Sequence, residues 1–588
     1  MIAASLAALL VGMWIANQGG LVAAPVVDDD GRTFALSPIQ AFIATLWPLL
    51  LALPWVLAMW IAAAGMGRWL RALVGDGLPT SAVIIGGGFA LLLIVDWLVA
   101  TAGLMHFAAP LICILGAAGL VRPLLAELRK PPGDRARLPD LPWPIVFAMP
   151  AVGMLLVACS LPPSTIWAVE AFGYDVLSYH LQLPAEWLGD VGAMRGLEHN
   201  VYSFLPNLVE AGYMQLAAMR GGVYEAIYAT QLLHASVAIA AATQIGLLVR
   251  RHTGDFAACI AAAAFLATPW TLITGSMAYN EMFAMLFGVC ALRLATETRG
   301  HDWRSAACIG LLLGAATMAK LTAAAMLAAP VVGIMLLHRR DSQSADDRPA
   351  QRVRRACIAV AVAAAVLSPY LVRNAVQTGN PVFPFAANLL GRGHWTAAQV
   401  ERWNAAHHVD ASWTEAVRDL GYQWLNNTGY GAIAGHARQR DAATVEATNV
   451  ARFHREWAWP TLWLVAGIGF VVALRRAPLR QPAALMLVML LIQLIFWLTA
   501  THLQSRFLIF TLLPGCWLTG VAVGRLQFLG RILGAVLVLA LTMVSMDVLW
   551  HQTFSQQPPW YWADALTDKR QPAPAADFAA IGDHPINR

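Results

Sequence analysis

The sequence predicts an all-α protein, a polytopic bundle of about 15 transmembrane helices with two larger helical external loops. Three observations carry that prediction. The 588-residue chain is 59% hydrophobic and only 12% charged, against roughly 25% charged in soluble globular proteins. Apolar runs of bilayer-crossing length, roughly 20 residues, recur from end to end. The loops between them alternate between basic and cation-poor. A soluble enzyme and a disordered chain are thereby excluded. A nucleic-acid binder is excluded too: the net charge of +5 is scattered in short clusters between apolar runs, which suits topology signals and not a phosphate-tracking surface.

In chain order the apolar runs fall at 2–17, 40–65, 81–102, 104–121, 144–163, 223–249, 256–273, 281–297, 305–320, 321–338, 356–372, 457–474, 482–501, 507–524 and 531–549. The first run has no Lys or Arg before it, so it reads as a membrane helix and not as a secretory signal. One set of loops is basic, with Arg68 and Arg71, Arg129 and Lys130, Arg250 and Arg251, Arg339 and Arg340, Arg475 and Arg476, and Arg525 and Arg531 among its residues. The positive-inside rule puts that set in the cytoplasm with the N-terminus, and the tail 550–588 outside. Two long segments then lie outside, 164–222 and 373–456. In the second, Pro381 and Pro384 make an extended start, Thr396–His407 reads as a surface helix, and Ser412 to Glu415 has the capping-box pattern. The organisation expected is 1–140 as N-terminal transmembrane helices, 141–372 as a helical module, 373–456 as the large loop, 457–549 as C-terminal helices, and a tail. All seven cysteines, at 113, 159, 259, 290, 308, 357 and 516, sit in apolar runs and read as small buried hydrophobes.

The residues able to carry chemistry cluster in the external segments. Asp175, Tyr179 and His180 follow the fifth run, with Glu170 before them. Asp175 and Tyr179 share a face at i, i+4 if the segment is helical. A carboxylate there serves as a general base toward a hydroxyl or as a helix N-cap. Asn280 and Glu281 open the helix at 281, where an acid gains from the helix dipole or faces the same cavity as a metal ligand. Lys320 lies in an apolar hairpin, as a snorkelling cation or a phosphate ligand. His502 and Arg506 are spaced i, i+4; the arginine suits bidentate phosphate binding or interfacial anchoring. Trp187, Tyr202, Trp395, Trp403 and Trp413 are candidate aromatic walls of a binding site or interface anchors. Asp96 lies inside the third run and is expected to be paired within the bundle.

The order of these features resembles the GT-C superfamily of membrane glycosyltransferases, which includes the aminoarabinose transferases and protein O-mannosyltransferases. The resemblance covers about 144–525. Asp175 matches the family's first-loop catalytic Asp, although Val176 stands where the family often has a second acid. Asn280-Glu281 matches its second-loop acidic motif, with one acidic position of two. Lys320, with Gly314, matches a lysine common in bacterial members. Asn380-Pro381-Val382-Phe383-Pro384-Phe385 and His502 through Arg506 match two further motifs. The resemblance implies a sugar transferred with inversion from a polyprenyl-phosphate-type lipid to a glycan, lipid or protein acceptor, on the external face of a bacterial cytoplasmic membrane. It implies Asp175, Glu281 and His180 as catalytic residues, and Tyr179, Lys320, His502, Arg506 and Asn280 as substrate-binding ones. A divalent metal, Mg or Mn, has Asp175 and Glu281 as its candidate ligands. Two other readings stand beside it. One is a secondary transporter or lipid-linked sugar flippase. The other is an oligosaccharide ligase or polymerase, leaning on Arg438, Arg440, Arg452 and Arg455.

Overall fold

A computed structural model describes residues 9–10, 26–27, 33–34, 38–75, 77–131, 142–161, 175–189, 191–298, 303–338, 348–407, 412–414, 417, 459–501 and 505–554. Glu170, His502, the four loop arginines 438, 440, 452 and 455, most of the first apolar run and the tail beyond 554 lie outside them.

The helices are α1 (Pro38–Val74), α2 (Gly88–Thr101, entered through a π-helical turn Ala82–Gly87), α3 (Met105–Ala118), α4 (Val121–Leu128), α5 (Met149–Cys159), α6 (Gln182–Leu188), α7 (Leu208–Arg220), α8 (Val223–Thr253), α9 (Asp255–Leu266), α10 (Pro269–Ser276), α11 (Glu281–Glu297), α12 (Trp303–Ala319), α13 (Ala329–Leu337), α14 (Pro349–Thr378), α15 (Ala387–Leu390), α16 (Ala397–His407), α17 (Trp459–Leu474), α18 (Ala477–Ala500), α19 (Leu512–Arg525) and α20 (Gln527–Phe554). A two-residue-per-strand hairpin, β1 (Val26–Val27) with β2 (Thr33–Phe34), is antiparallel and was not foreseen. Among the described residues seven helices are long and apolar enough to cross a membrane, and up to nine if each bent pair counts as one span. The bent pairs are α3 with α4, at 41°, and α9 with α10, at 64°. The protein is thus a multi-pass membrane protein with an all-α bundle.

Helix association in a bilayer rests on close packing and interhelical hydrogen bonds. α1 meets α3 where a Cβ on Gly65 would lie 1.9 Å from the Gly116 carbonyl oxygen, so only glycine permits that crossing. α8 is fastened to the end of α5 by Gln231, whose amide donates to the carbonyls of Cys159 and Leu161 at 2.9 Å. Gln493 on α18 bridges to Met326 and Phe510 in the same way.

Three local expectations change. The cysteines are all free, but Cys357 on α14 is exposed and Cys113 and Cys259 are half-buried. The stretch after Pro381 runs as consecutive turns and is not extended, because the Asn380 side chain accepts from Val382 N–H and donates to the carbonyls of Phe385 and Gly391. Asp96 is buried, yet neither of its carboxyl oxygens has a hydrogen-bond partner; Gln215 on the packing helix α7 sends its amide to Ala109 and Cys113 instead. A helix forms over the stretch 396–407 as expected: α16 begins with Thr396 and Gln399 in reciprocal hydrogen bonds, Thr396 N–H to Gln399 Oε1 at 2.8 Å and Gln399 N–H to Thr396 Oγ1 at 3.3 Å, a capping box.

The two long segments, 164–222 and 373–456, are tied together by Arg373 and Asn374 at the end of α14. Arg373 donates to the carbonyls of Ser203 and Leu205. Asn374 donates to those of Phe204 and Phe383. A second small core of Val201, Phe204, Phe383, Trp395, Val400 and Trp403 fills the space between the segments. This fixes the loop that carries Tyr202 over the end of the bundle.

Candidate active site

Asp175, Glu281, Lys320 and Arg506 come from four separate places in the chain and form two ion pairs. Arg506 Nη2 donates to Asp175 Oδ2 at 2.5 Å. Lys320 Nζ donates to Glu281 Oε1 at 2.5 Å. Each side chain is at most 13% exposed.

Local structure explains the placement. Asp175 precedes a π-helical turn, Val176–His180, closed by Leu181 N–H on the Val176 carbonyl. This replaces the α spacing expected there. The wider turn sets Tyr179 and His180 side by side, ring centroids 4.0 Å apart. Asp175 and Asn280 both occupy N-cap positions, but neither caps through its side chain. The capping reading of Asp175 is therefore wrong, since its carboxylate is spent on Arg506. Lys320 follows the last residue of α12, where the chain turns through Ala323 N–H to Lys320 C=O before a third π-helical turn, Ala324–Ala328. Arg506 lies in a 3-10 stretch, Ser505–Thr511, between α18 and α19.

Aromatic rings hold the cations. The Phe507 ring centroid is 5.1 Å from both Lys320 Nζ and the Arg506 guanidinium, so one ring serves two positive charges. Tyr279 accepts from Arg506 Nη1 through its hydroxyl at 3.3 Å and lies 5.6 Å from the guanidinium. Tyr213 fixes Tyr279 by donating to its carbonyl at 2.5 Å.

Behind this layer is a buried histidine–carboxylate pair. His180 Nδ1 lies 2.5 Å from Glu210 Oε1, and both side chains are buried. A carboxylate only accepts, so Nδ1 carries a proton in this pair. Neither His180 Nε2 nor the second Glu210 oxygen has a hydrogen-bond partner. Asn280 Nδ2 donates to the same Glu210 oxygen at 3.4 Å, and Asn280 Oδ1 is also without a partner.

The electrostatics of Asp175 follow from this geometry. Burial pushes its carboxyl up, but the charges of Arg506, then His180 and Lys320, outweigh burial and hold it below the ordinary carboxylate value. Burial, then the Asp175 charge, raises the neighbouring Tyr179 phenol well above its usual value, so Tyr179 is a neutral hydrogen-bonding group.

The structure thus brings together Asp175, Tyr179, His180, Asn280, Glu281, Lys320 and Arg506. His502 lies outside the described residues. Glu210 and Tyr279 join the cluster without having been singled out from the sequence. Of the aromatic walls, Tyr202 stacks on Tyr179 at 4.6 Å and meets Trp403 at 6.2 Å. Trp187 is removed from the set: it is fully buried and donates to the Arg195 carbonyl. Trp413 is exposed. As metal ligands the two carboxylates fit poorly, because each already carries a cation. Among the described residues no group of three or more His, Cys, Asp or Glu side chains is arranged around a metal position.

No protein-family profile matches the sequence, and no curated protein does. Two solved structures are similar in fold, both of ArnT from Cupriavidus metallidurans, one bound to undecaprenyl phosphate and one in the apo state. Each is 13% identical, with a TM-score of 0.42, over 70% of this chain and 77% of that one.

Proposed function

We propose that the protein is a membrane glycosyltransferase that moves a sugar from a polyprenyl-phosphate-type lipid to an acceptor hydroxyl at the outer surface of the membrane. One observation carries this reading: two buried carboxylate–cation pairs, Asp175–Arg506 and Glu281–Lys320, meet at one end of a membrane bundle. Cations there suit a lipid phosphate whose chain stays in the bilayer, and a carboxylate beside them suits proton removal.

In this reading Asp175 is the general base. Paired with Arg506 it binds a proton weakly. When Arg506 turns its planar donors to the phosphate, Asp175 loses its strongest counter-charge and becomes a better proton acceptor. The acceptor oxygen then attacks the anomeric carbon from the face opposite the phosphate and passes its proton to Asp175. The carbon–oxygen bond to the phosphate breaks as the new bond forms, and the leaving oxygen keeps the electron pair. The anomeric centre inverts. Arg506 and Lys320 meet the charge on the departing phosphate, while Glu281 positions Lys320. His180, oriented by Glu210, offers Nε2 to a substrate hydroxyl, and Tyr179 and Asn280 supply further polar contacts. No step is assigned to a metal.

Wild type and Asp175→Asn, purified into lipid nanodiscs, are to be offered a panel of polyprenyl-phosphate sugars with candidate acceptors, and sugar release from the lipid followed. Turnover by wild type that is lost in the folded variant supports the reading. Equal turnover in both moves the base away from Asp175.

A further inference from the structure

The opposite end of the bundle carries a built groove. The turn between α8 and α9 and the turn between α19 and α20 enclose a groove of about 530 Å³, with Gly254, Phe256, Val523, Gly524, Phe528 and Arg531 among its lining residues. The helical stretch Arg506–Arg525, at 1.5 Å per residue, sets it roughly 30 Å from the ion-pair cluster. The backbone is specialised here. Gly254 has φ +117° and ψ 177°, a region essentially reserved for glycine. A Cβ on Gly524 would come 2.5 Å from the Thr253 Cβ. Gln527 has φ +51°.

Arg531 is the one cation among the groove's lining residues, and Arg525 lies at its edge, next to Gly524. Asp255, its one lining acid, is neutralised by Arg250 at 2.6 Å, and Arg251 is spent on the Thr296 carbonyl. Arg525 donates to the His252 carbonyl. Neither Arg525 nor Arg531 has a carboxylate partner among the described residues. Arg531 lies 5.9 Å over the Phe256 ring. α9 starts at the groove with Gly254 as its N-cap and Asp255 in its first turn, and the N–H groups of a helix's first turn, which have no partner within the helix, favour an anion. The groove also opens onto an apolar strip of α20, Phe528, Ile532 and Val536, which are 75%, 46% and 57% exposed at i, i+4 and i+8.

We propose that this groove holds the phosphate headgroup of an anionic phospholipid, with its acyl chains along Phe528, Ile532 and Val536. An arginine without a carboxylate partner among the described residues, beside a helix start, matches the headgroup. A strip of one helix face leading away from it matches a lipid tail and has no use for a soluble anion. The site lies on the basic side of the bundle, away from the proposed transferase centre and independent of it.

The test is native mass spectrometry of the full-length protein in mild detergent, offered phosphatidylglycerol or phosphatidylcholine. Wild type is compared with Arg531→Gln and Phe528→Glu, both exposed positions, with an unchanged unfolding temperature as the folding check. Expected is one phosphatidylglycerol held about tenfold more strongly than phosphatidylcholine by wild type, with the preference lost in both variants. Equal retention of the two lipids by wild type overturns the proposal, as does an undiminished preference in the folded Arg531→Gln protein. Displacement of phosphatidylglycerol by equimolar inorganic phosphate also overturns it, by making the groove a free-anion site.

Discussion

Arg506 and Asp175 stand 331 residues apart in the chain and meet at 2.5 Å, with 9% and 13% of their side chains exposed. Removing one partner of a buried pair leaves an uncompensated charge, which costs about 3–5 kcal/mol. Arg506→Met is therefore expected to destabilise strongly, and Asp175→Asn/Arg506→Met to recover most of that loss. Neither variant recovers turnover. Denaturant unfolding in detergent measures the first effect and sugar release the second. A double variant as unstable as the single one would show that the two residues do not act as a pair.

The same pair sets an acid limit. A carboxyl whose folded pKa lies below its unfolded value of about 3.9 adds stability that is complete above that value and lost as pH falls through the folded one. Asp175 is such a group. Its contribution should be constant from pH 8 to about 5 and vanish at lower pH. Unfolding temperatures recorded against pH should fall more steeply below about pH 4 in wild type than in Asp175→Asn. Parallel acid limbs in the two proteins would remove Asp175 from the linkage.

Most members of the candidate site were legible in the sequence, but its pairings were not. Asp175, Glu281, Lys320 and Arg506 each stood out as a charge at the edge of an apolar run, where a charge is costly without a reason. Nothing local says that Asp175 meets Arg506 and not Lys320, because helix packing decides that. The π-helical turn at Val176–His180 was also hidden, since its residues have no distinctive spacing. Glu210 was missed for a different reason. It sits three residues after Asn207, at the start of α7, where an acid has the signature of ordinary helix capping. Only the fold shows it turned to His180. The helices themselves were readable because hydropathy over 20 residues is a strong signal, whereas the bends after α3 and α9 depend on breaks a few residues long.

Glu281 and Lys320 give a prediction about the donor. Lys320 is held by Glu281 at 2.5 Å and by the Phe507 ring. Lys320→Met should lower kcat/KM for the lipid donor about 10²-fold, the scale of one lost charge-stabilising donor. The acceptor KM should stay near wild type. Steady-state kinetics with each substrate varied separate the two. A loss confined to the acceptor would place the phosphate elsewhere.

Glu210 gives a prediction about tautomers. Its carboxylate accepts from His180 Nδ1–H and so sets which ring nitrogen donates within the pair. Glu210→Gln can present its amide donor to Nδ1, which reverses the ring. Turnover should fall about tenfold or more, and His180→Ala should add little further loss in the Glu210→Gln background. Fully additive losses in the double variant would show that Glu210 acts independently of His180.

Asp96 predicts a gain in stability. Both its carboxyl oxygens are buried without a partner, and burying a polar group unpaired costs about 1–3 kcal/mol. Leucine is close to aspartate in shape and needs no hydrogen bond. Asp96→Leu should therefore raise stability by about 1–3 kcal/mol, while Asp96→Asn, which keeps two polar atoms without partners, should gain little. Turnover should be unchanged in both, because Asp96 is not among the residues that meet around Asp175. Thermal unfolding of the three proteins in one detergent, with sugar release alongside, decides the matter. A destabilised Asp96→Leu protein would mean that the carboxyl finds a partner in the membrane, and lost turnover with stability intact would make it part of the working machinery.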